Sequence, residues 1–268
     1  MLTVGRRNAR FQQWQALLTN RAKRQRAGEL LVQGVRPVSL AIQHGWPVRA
    51  LLYADGQRLS RWAVELLDRL DPKVHVAMAP ELLAELSDKA DGTPEVLAVV
   101  AMPADRLDRI PLTGPVPFLG VLLDRPTSPG NIGTVIRSAD AFGASGVIVA
   151  GHAADPYDPK SVRASTGSLF AVPVIRVHSP AELLDRARTA GLRIVGTDEQ
   201  GDRDVADFDL TGPTLLVIGN ETTGLSAGLR HECDHLLRIP MTGSASSLNA
   251  ASAATVVLYE AARQRRTR

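Results

Sequence analysis

A chain of 268 residues with 44% hydrophobic content suits one large domain or two modest ones and has ample material for a buried core. It holds no apolar run near the roughly 18 residues of a membrane span, no apolar stretch behind its charged start, and only one cysteine, Cys233; this excludes an intramolecular disulfide and sets the expectation of a soluble, cytoplasmic protein with no membrane partner. The net charge of +3 is uneven: residues 1–50 carry nine Lys/Arg against the single acid Glu29, a local +8 that leaves −5 on the remainder, so the front end suits a polyanion such as a nucleic acid, although a solvated helix face would have the same composition.

In chain order, GELLVQG (28–34) and VRALLYA (48–54) are predicted strands. Between them, residues 37–45 read as a helix ending at its glycine. Residues 60–70 and 80–86 are predicted helices and VLAVVAM (96–102) a strand, making a small α/β unit of residues 1–105. The tract AMPADRLDRIPLTGPVP collects four prolines with little apolar periodicity, so residues 106–117 read as a linker. From 118 to 268 the alternation is cleaner. Strands are predicted at 117–124, 146–150, 172–177, 193–198, 214–220 and 235–240, with helices at 131–142, 159–168, 180–190, 223–230 and 246–264. Apolar strands alternating with helices imply a mostly parallel sheet covered on both faces, with ligands at the carboxyl ends of its strands.

Three segments follow such strand ends. In Asn131-Ile132-Gly133-Thr134-Val135-Ile136-Arg137, Asn131 is read as a helix N-cap. Arg137, six residues on, is read as pointing to a similar side, so that the pair suits a ribose or phosphate. The plainer alternative is a cap plus a surface arginine. In Gly219-Asn220-Glu221-Thr222-Thr223-Gly224 a carboxylate stands at a strand end between glycines, a place to handle substrate or cofactor; the alternative is a turn before a helix. In Ile239-Pro240-Met241-Thr242-Gly243-Ser244-Ala245-Ser246-Ser247-Leu248-Asn249 a small polar loop enters an Ala-rich helix. Its backbone groups could read an adenine edge, or the loop could simply cap the helix.

Each motif is weak alone, but in this order they resemble the TrmH-like (SpoU) branch of the SPOUT methyltransferases: Asn-x-Gly-x-x-x-Arg, Gly-x-Glu-x-x-Gly, then Ile-Pro-Met followed by Ser-Leu-Asn. KSVRASTGS (160–168) resembles that family's intervening segment, and Ser138 stands where many members have Thr. The front unit, with Asn8, the basic stretch 21–26 and residues 28–36, resembles the L30e-like RNA-binding domain often fused to it. NARFQQWQALL, PYDPKSVRASTGSLF and GSASSLNAA are most similar to antibiotic-resistance 23S rRNA methyltransferases of actinomycetes.

The resemblance implies an α/β fold whose carboxyl-terminal SPOUT domain threads residues 214–264 into a deep trefoil knot, a device otherwise nearly absent from proteins. It implies S-adenosylmethionine as cofactor, held by Thr197, Gly219, Asn220, Ile239, Met241, Leu248 and Asn249. It also implies a homodimer with the last helix in the interface, and 2′-O-methylation of a ribose in 23S rRNA, at a uridine, with resistance to an antibiotic such as avilamycin. Arg137 becomes the catalytic arginine. A guanidinium stays protonated, so the expectation is that it orients the hydroxyl and target phosphate. Asn131 and Asn249 would hold Arg137 or the ribose, Glu221 would fix Arg137 or an Asn amide, and Ser247 would bond nearby. Arg7, Arg10, Arg21, Lys23, Arg24, Arg26, Arg36 and Arg163 are the expected RNA contacts.

His231-Glu232-Cys233-Asp234-His235 is too tightly spaced for the usual zinc pattern, and no metal is expected. P-loop and Gly-x-Gly-x-x-Gly fingerprints are missing. Phe11 and Trp14 could stack on bases but read better as core, and the tail 263–268 could touch RNA or be disordered. The rival readings are a tRNA ribose methyltransferase, a catalytically silent RNA-binding relative, and a sheet protein for another nucleotide.

Overall fold

A computed structural model describes residues 2–87 and 94–266. The chain forms two compact units: residues 1–103 with 157–171, and residues 104–156 with 172–268.

The first unit is built on a five-stranded sheet. Its elements are β1 (Leu2–Val4), α1 (Ala9–Thr19), α2 (Arg21–Ala27), β2 (Glu29–Gln33), α3 (Val35–Gln43), β3 (Val48–Ala54), α4 (Arg61–Arg69), β4 (His75–Met78), α5 (Pro80–Glu85) and β5 (Val96–Ala101). The strand order is β1-β4-β3-β5-β2, with β1, β4 and β3 parallel and β5 antiparallel to both neighbours. Asn8 caps α1, its side chain accepting from Phe11 N, and presents Phe11, Trp14 and Leu17 to the core at three-residue spacing. The basic arm is thus helical, and Phe11 and Trp14 are core residues. Residues 157–171 return to this unit. Trp46 donates from Nε1 to the Phe170 carbonyl and meets the rings of Phe170 and Tyr157 edge-on. The helix predicted at 159–168 breaks in two, α7 (Pro159–Ala164) and α8 (Ser168–Ala171), because Thr166 (φ 49°) and Gly167 (φ 97°) turn left-handed between them. A β-branched residue there costs about 1–2 kcal/mol.

The second unit follows the predicted alternation: β6 (Leu119–Asp124), α6 (Pro129–Ala141), β7 (Gly146–Ala150), β8 (Val174–Val177), α9 (Ala181–Thr189), β9 (Arg193–Thr197), β10 (Arg203–Asp204), β11 (Thr214–Ile218), α10 (Ala227–Glu232), β12 (His235–Arg238) and α11 (Ala250–Arg266). All seven strands are parallel, in the order β10-β12-β9-β11-β6-β7-β8. Strands β6, β7 and β11 are buried at every position, as a sheet covered on both faces requires. The proline-rich tract is not loose: Asp105 pairs with Arg176, Arg109 donates to the Val174 carbonyl, and Ile110 packs in the core. The tail is also fastened. Arg263 pairs with Glu260, and Arg265 donates to the carbonyls of Pro117, Phe118, Leu210 and Gly212; Thr267 and Arg268 lie outside the described residues.

Candidate active site

The sheet order makes a crevice. From β6 the chain runs outward through β7 to β8, then crosses to β9 on the other side, and β11 fills the gap between β6 and β9. Open parallel sheets bind ligands at the carboxyl ends of strands where the order reverses in this way. The carboxyl ends of β6, β9 and β11 lead into Thr127 and Ser128 before α6, into residues 198–200, and into the 219–224 loop.

Helix α6 is capped by Ser128, whose hydroxyl accepts from Asn131 N at 3.3 Å, with Pro129 opening the first turn. Asn131 is therefore not the N-cap expected from sequence; it lies in the first turn, and its amide is free to bond elsewhere. Its Nδ2 donates to Glu221 Oε1 at 3.0 Å, and its Oδ1 accepts from Asn249 Nδ2 at 3.2 Å. Asn249 in turn caps α11, its Oδ1 accepting from Ala251 N at 2.9 Å. Glu221 also accepts from Thr127 N and Oγ1, both at 2.9 Å, and from Ser128 N at 3.2 Å. One hydrogen-bonded chain thus ties the three motifs together. Burial pushes the Glu221 carboxyl up, but the donors of Thr127 and Asn131 outweigh it and hold the group down at about 2. The buried Ser138 hydroxyl, 2.7 Å from Thr255 Oγ1, joins α6 to α11 again further along.

The Gly219–Gly224 loop closes on itself. Asn220 and Gly224 exchange both backbone bonds, Asn220 Oδ1 accepts from Thr222 N and Thr223 N, and its Nδ2 donates to the Arg125 carbonyl at 2.7 Å. A Cβ on Gly219 would stand 2.5 Å from the carbonyl carbon of Gly224, so only glycine lets the loop fold this tightly. Beside it, Asp124 at the end of β6 is buried and accepts from Arg125 and from Ser226 N; burial opposes its charge, and those donors more than restore it. Ser226, in turn, caps α10, which is why that helix starts at Ala227 rather than at 223.

Against this loop lies a cavity of about 410 Å³. Its walls include Thr197, Gly219, Asn220, Ile239, Met241 and Leu248 of the predicted cofactor set, together with Glu221 and Ser247; Asn249 stands just outside it. Sequence reading missed Asp198 and Glu199, which also line it, and the Asp198–Arg230 ion pair at its edge. They follow β9 directly, and their place after a strand was the only signal that could have marked them. Ser247 makes no hydrogen bond among the described residues.

Arg137 stands apart. It is exposed on α6, outside the cavity wall, and makes no hydrogen bond or ion pair among the described residues. The expected shared side with Asn131 fails geometrically, since six residues leave about 120° between two side chains around a helix. Nor do Asn131, Asn249 or Glu221 hold it, because they bond one another. Among the predicted RNA contacts, Arg24 is only 2% exposed: it donates to the Leu17 carbonyl at 2.8 Å and pairs with Asp158 at 3.4 Å, so it is a structural group and cannot reach a phosphate. Arg7 is paired with Glu85, and Arg10 lies over the Trp14 ring. Arg21, Lys23, Arg26, Arg36 and Arg163 are exposed. Cys233 is half-buried, and burial pushes its thiol up to about 12, which removes it as a nucleophile.

Fold and crevice together define an α/β protein that handles a small ligand at the switch point of a parallel sheet. Residues 119–259 match the SpoU rRNA Methylase family, and residues 8–98 match the SpoU L30e-like domain. The chain belongs to the SpoU rRNA methylase family. It is 67% identical, over 97% of its length and 91% of the relative's, to a 23S rRNA (uridine(2479)-2′-O)-methyltransferase of Streptomyces viridochromogenes. The crystal structure of the SpoU methyltransferase AviRb from that organism, in complex with the cofactor AdoMet, superposes with a TM-score of 0.90 at 64% identity, covering 97% of this chain and 99% of that one. An AdoMet-bound rRNA methyltransferase from Sinorhizobium meliloti gives a TM-score of 0.84 at 30% identity, with 97% and 98% covered.

Proposed function

We propose that the chain transfers a methyl group from S-adenosylmethionine to the 2′-hydroxyl of a uridine ribose in 23S rRNA. One observation carries this: Glu221 is part of the cavity wall and accepts from Asn131, which itself accepts from Asn249, so that one hydrogen-bonded chain at the cavity joins the three motifs. The cavity fits the cofactor in kind. Its volume lies in the small-ligand range, Ile218, Ile239 and Leu248 offer apolar walls to an adenine, and the exposed carboxylate of Glu199 suits a cationic sulfonium or ammonium. Bound there, S-adenosylmethionine would supply an electrophilic methyl group.

The residues of the chain divide the remaining work. Glu221, held near 2 and saturated with donors, is too weak a base to accept a hydroxyl proton at neutral pH. It keeps the loops in shape, with Asn131 and Asn249. Arg137, exposed and without a hydrogen bond or ion pair among the described residues, is available to meet the substrate. Its guanidinium orients the ribose hydroxyl and a neighbouring phosphate and lowers the cost of negative charge on the oxygen. The first unit grips RNA through exposed Lys23, Arg26 and Arg36, and the second unit carries the methyl-transfer site.

Two further readings belong to the same proposal. Helix α11 exposes Val256 and Tyr259, the latter 48% exposed and edge-on to Phe142, an apolar face suited to a second copy in a homodimer. Strand β11 fills the gap beside β6, the chain then moves out to β12, and α11 returns to pack on α6 and β11; this path supports the threaded knot. No helix among the described residues is long and apolar enough to cross a membrane, consistent with a cytoplasmic ribosome-modifying enzyme whose product protects against an antibiotic such as avilamycin. The test is tritiated methyl transfer onto 23S, 16S and transfer RNA with nuclease mapping. The expected result is a single 2′-O-methyluridine in 23S rRNA; label in transfer RNA alone, or on a base, would overturn it.

A further inference from the structure

The first unit holds a second cavity, of about 420 Å³, that the methyl-transfer chemistry does not use. It lies between the start of α3 and the returning segment of α7. Leu18, Leu31, Leu86 and Val162 form its walls, and its accessible lining is mainly apolar. Val35, at the first position of α3, lines it too and is 57% exposed, an apolar side chain open to solvent at a place where a helix start ordinarily carries polar groups. Two guanidinium groups, Arg36 and Arg163, complete the lining, with no acidic residue among the described residues of the wall.

One residue marks this cavity as a site. Thr166 lines it with a left-handed backbone, φ 49°, unusual for a β-branched residue. The turn is held by Gly167 behind it and by the Thr166 N–H donating to the Arg163 carbonyl at 3.0 Å. Its hydroxyl has no hydrogen-bond partner among the described residues. Backbone strain of this kind persists where the surroundings over-determine it, and it clusters where a side chain must be aimed. Apolar walls, a hydroxyl without a protein partner among the described residues and the Arg36 cation at the rim together match a single chemistry: an unpaired nucleobase, with its ring against the aliphatic side chains, its edge on the hydroxyl and a phosphate on Arg36.

We infer that this cavity receives one unstacked base of the RNA substrate, so that the first unit reads the presence of a single-stranded nucleotide rather than charge alone. The inference rests on the RNA-substrate reading above. The probe is a fluorescein-labelled oligouridylate of about twelve nucleotides, compared with an abasic ribose-phosphate oligomer and an RNA duplex of equal length, on the full-length protein. Wild type should bind the oligouridylate at least about tenfold tighter than the abasic oligomer. Thr166→Val keeps the shape and the β-branch but removes the hydroxyl, and should weaken only the base-bearing probe, by about three- to tenfold. Arg36→Ala should weaken both single-stranded probes alike. Equal binding of the oligouridylate and abasic probes by wild type, or an unchanged Thr166→Val, would overturn the inference, as would a preference for the duplex. Methyl transfer to 23S rRNA is scored separately: its absence beside base-dependent binding defeats the parent reading and leaves the cavity, whereas intact transfer beside base-independent binding does the reverse.

Discussion

In the second unit, the polar groups of the three motifs are spent on one another. Glu221, Asn131 and Asn249 form a linear chain of hydrogen bonds through Asn131, while Arg137, nearly two turns along the same helix, makes no hydrogen bond to any of them. The first unit divides its arginines in the same way but for another purpose. Arg24 is buried and holds the Leu17 carbonyl and Asp158, the cap of α7, whereas Arg26 and Arg36 reach solvent. In one unit the bonded groups shape the wall of a small cavity; in the other a bonded cation fastens a returning segment. The difference teaches that partner count and burial, rather than residue type or local charge density, separate groups that shape a site from groups left to meet a ligand.

The comparison breaks most readily at Arg137. Arg137→Ala should lower kcat by at least about a hundredfold while S-adenosylmethionine affinity and Tm stay at wild-type values, because the side chain is exposed and unpartnered. A fall in Tm would show that it belongs with the bonded groups. Arg24→Ala should do the opposite, costing about 2–3 kcal/mol of stability by chemical denaturation, through a buried carbonyl and a half-buried carboxylate left without their donor. Arg26→Ala should leave stability unchanged and weaken RNA binding with a shallower salt dependence.

Smaller effects sharpen the picture of the bonded chain. Glu221→Gln should cost about 1–2 kcal/mol, since a single amide oxygen replaces a carboxylate facing several donors. The sign with pH follows from the depressed carboxyl: its stabilising contribution is fully present above about 4.5, its ordinary value, and is lost as pH falls toward about 2. The stability gap between wild type and Glu221→Gln should therefore narrow only across that acid range, and the pH–rate profile between 6 and 9 should show no step from Glu221. Asn249→Ala should be milder, about 1 kcal/mol for a lost helix cap, read as a lower Tm with α11 fraying first in hydrogen exchange.

Much of this was legible in the sequence where one physical cause acts locally. Strands Gly146–Ala150 and Val48–Ala54 stand where continuous apolar runs place them, and the loops after β6 and β11 are where parallel-sheet reasoning puts a site. What was hidden depends on distant partners. Nothing near Arg24 announces Asp158, and nothing near residues 157–171 announces Trp46, so the basic run read as all surface and the returning segment as part of the second unit. Asn131 was misassigned because Ser128 competes for the cap and Pro129 settles the contest. Strands β1 and β10, three and two residues long, carry too little periodicity to be seen.

The most direct measurement is a crystal structure of the full chain soaked with S-adenosylmethionine. It should show the adenosine between the Gly219–Gly224 loop and Leu248, the Glu221–Asn131–Asn249 bonds unchanged, and the guanidinium of Arg137 still unbonded to that chain. Density for the cofactor elsewhere, or Glu221 released from Asn131 to bind it, would contradict the division between groups that shape the site and the one that meets the substrate.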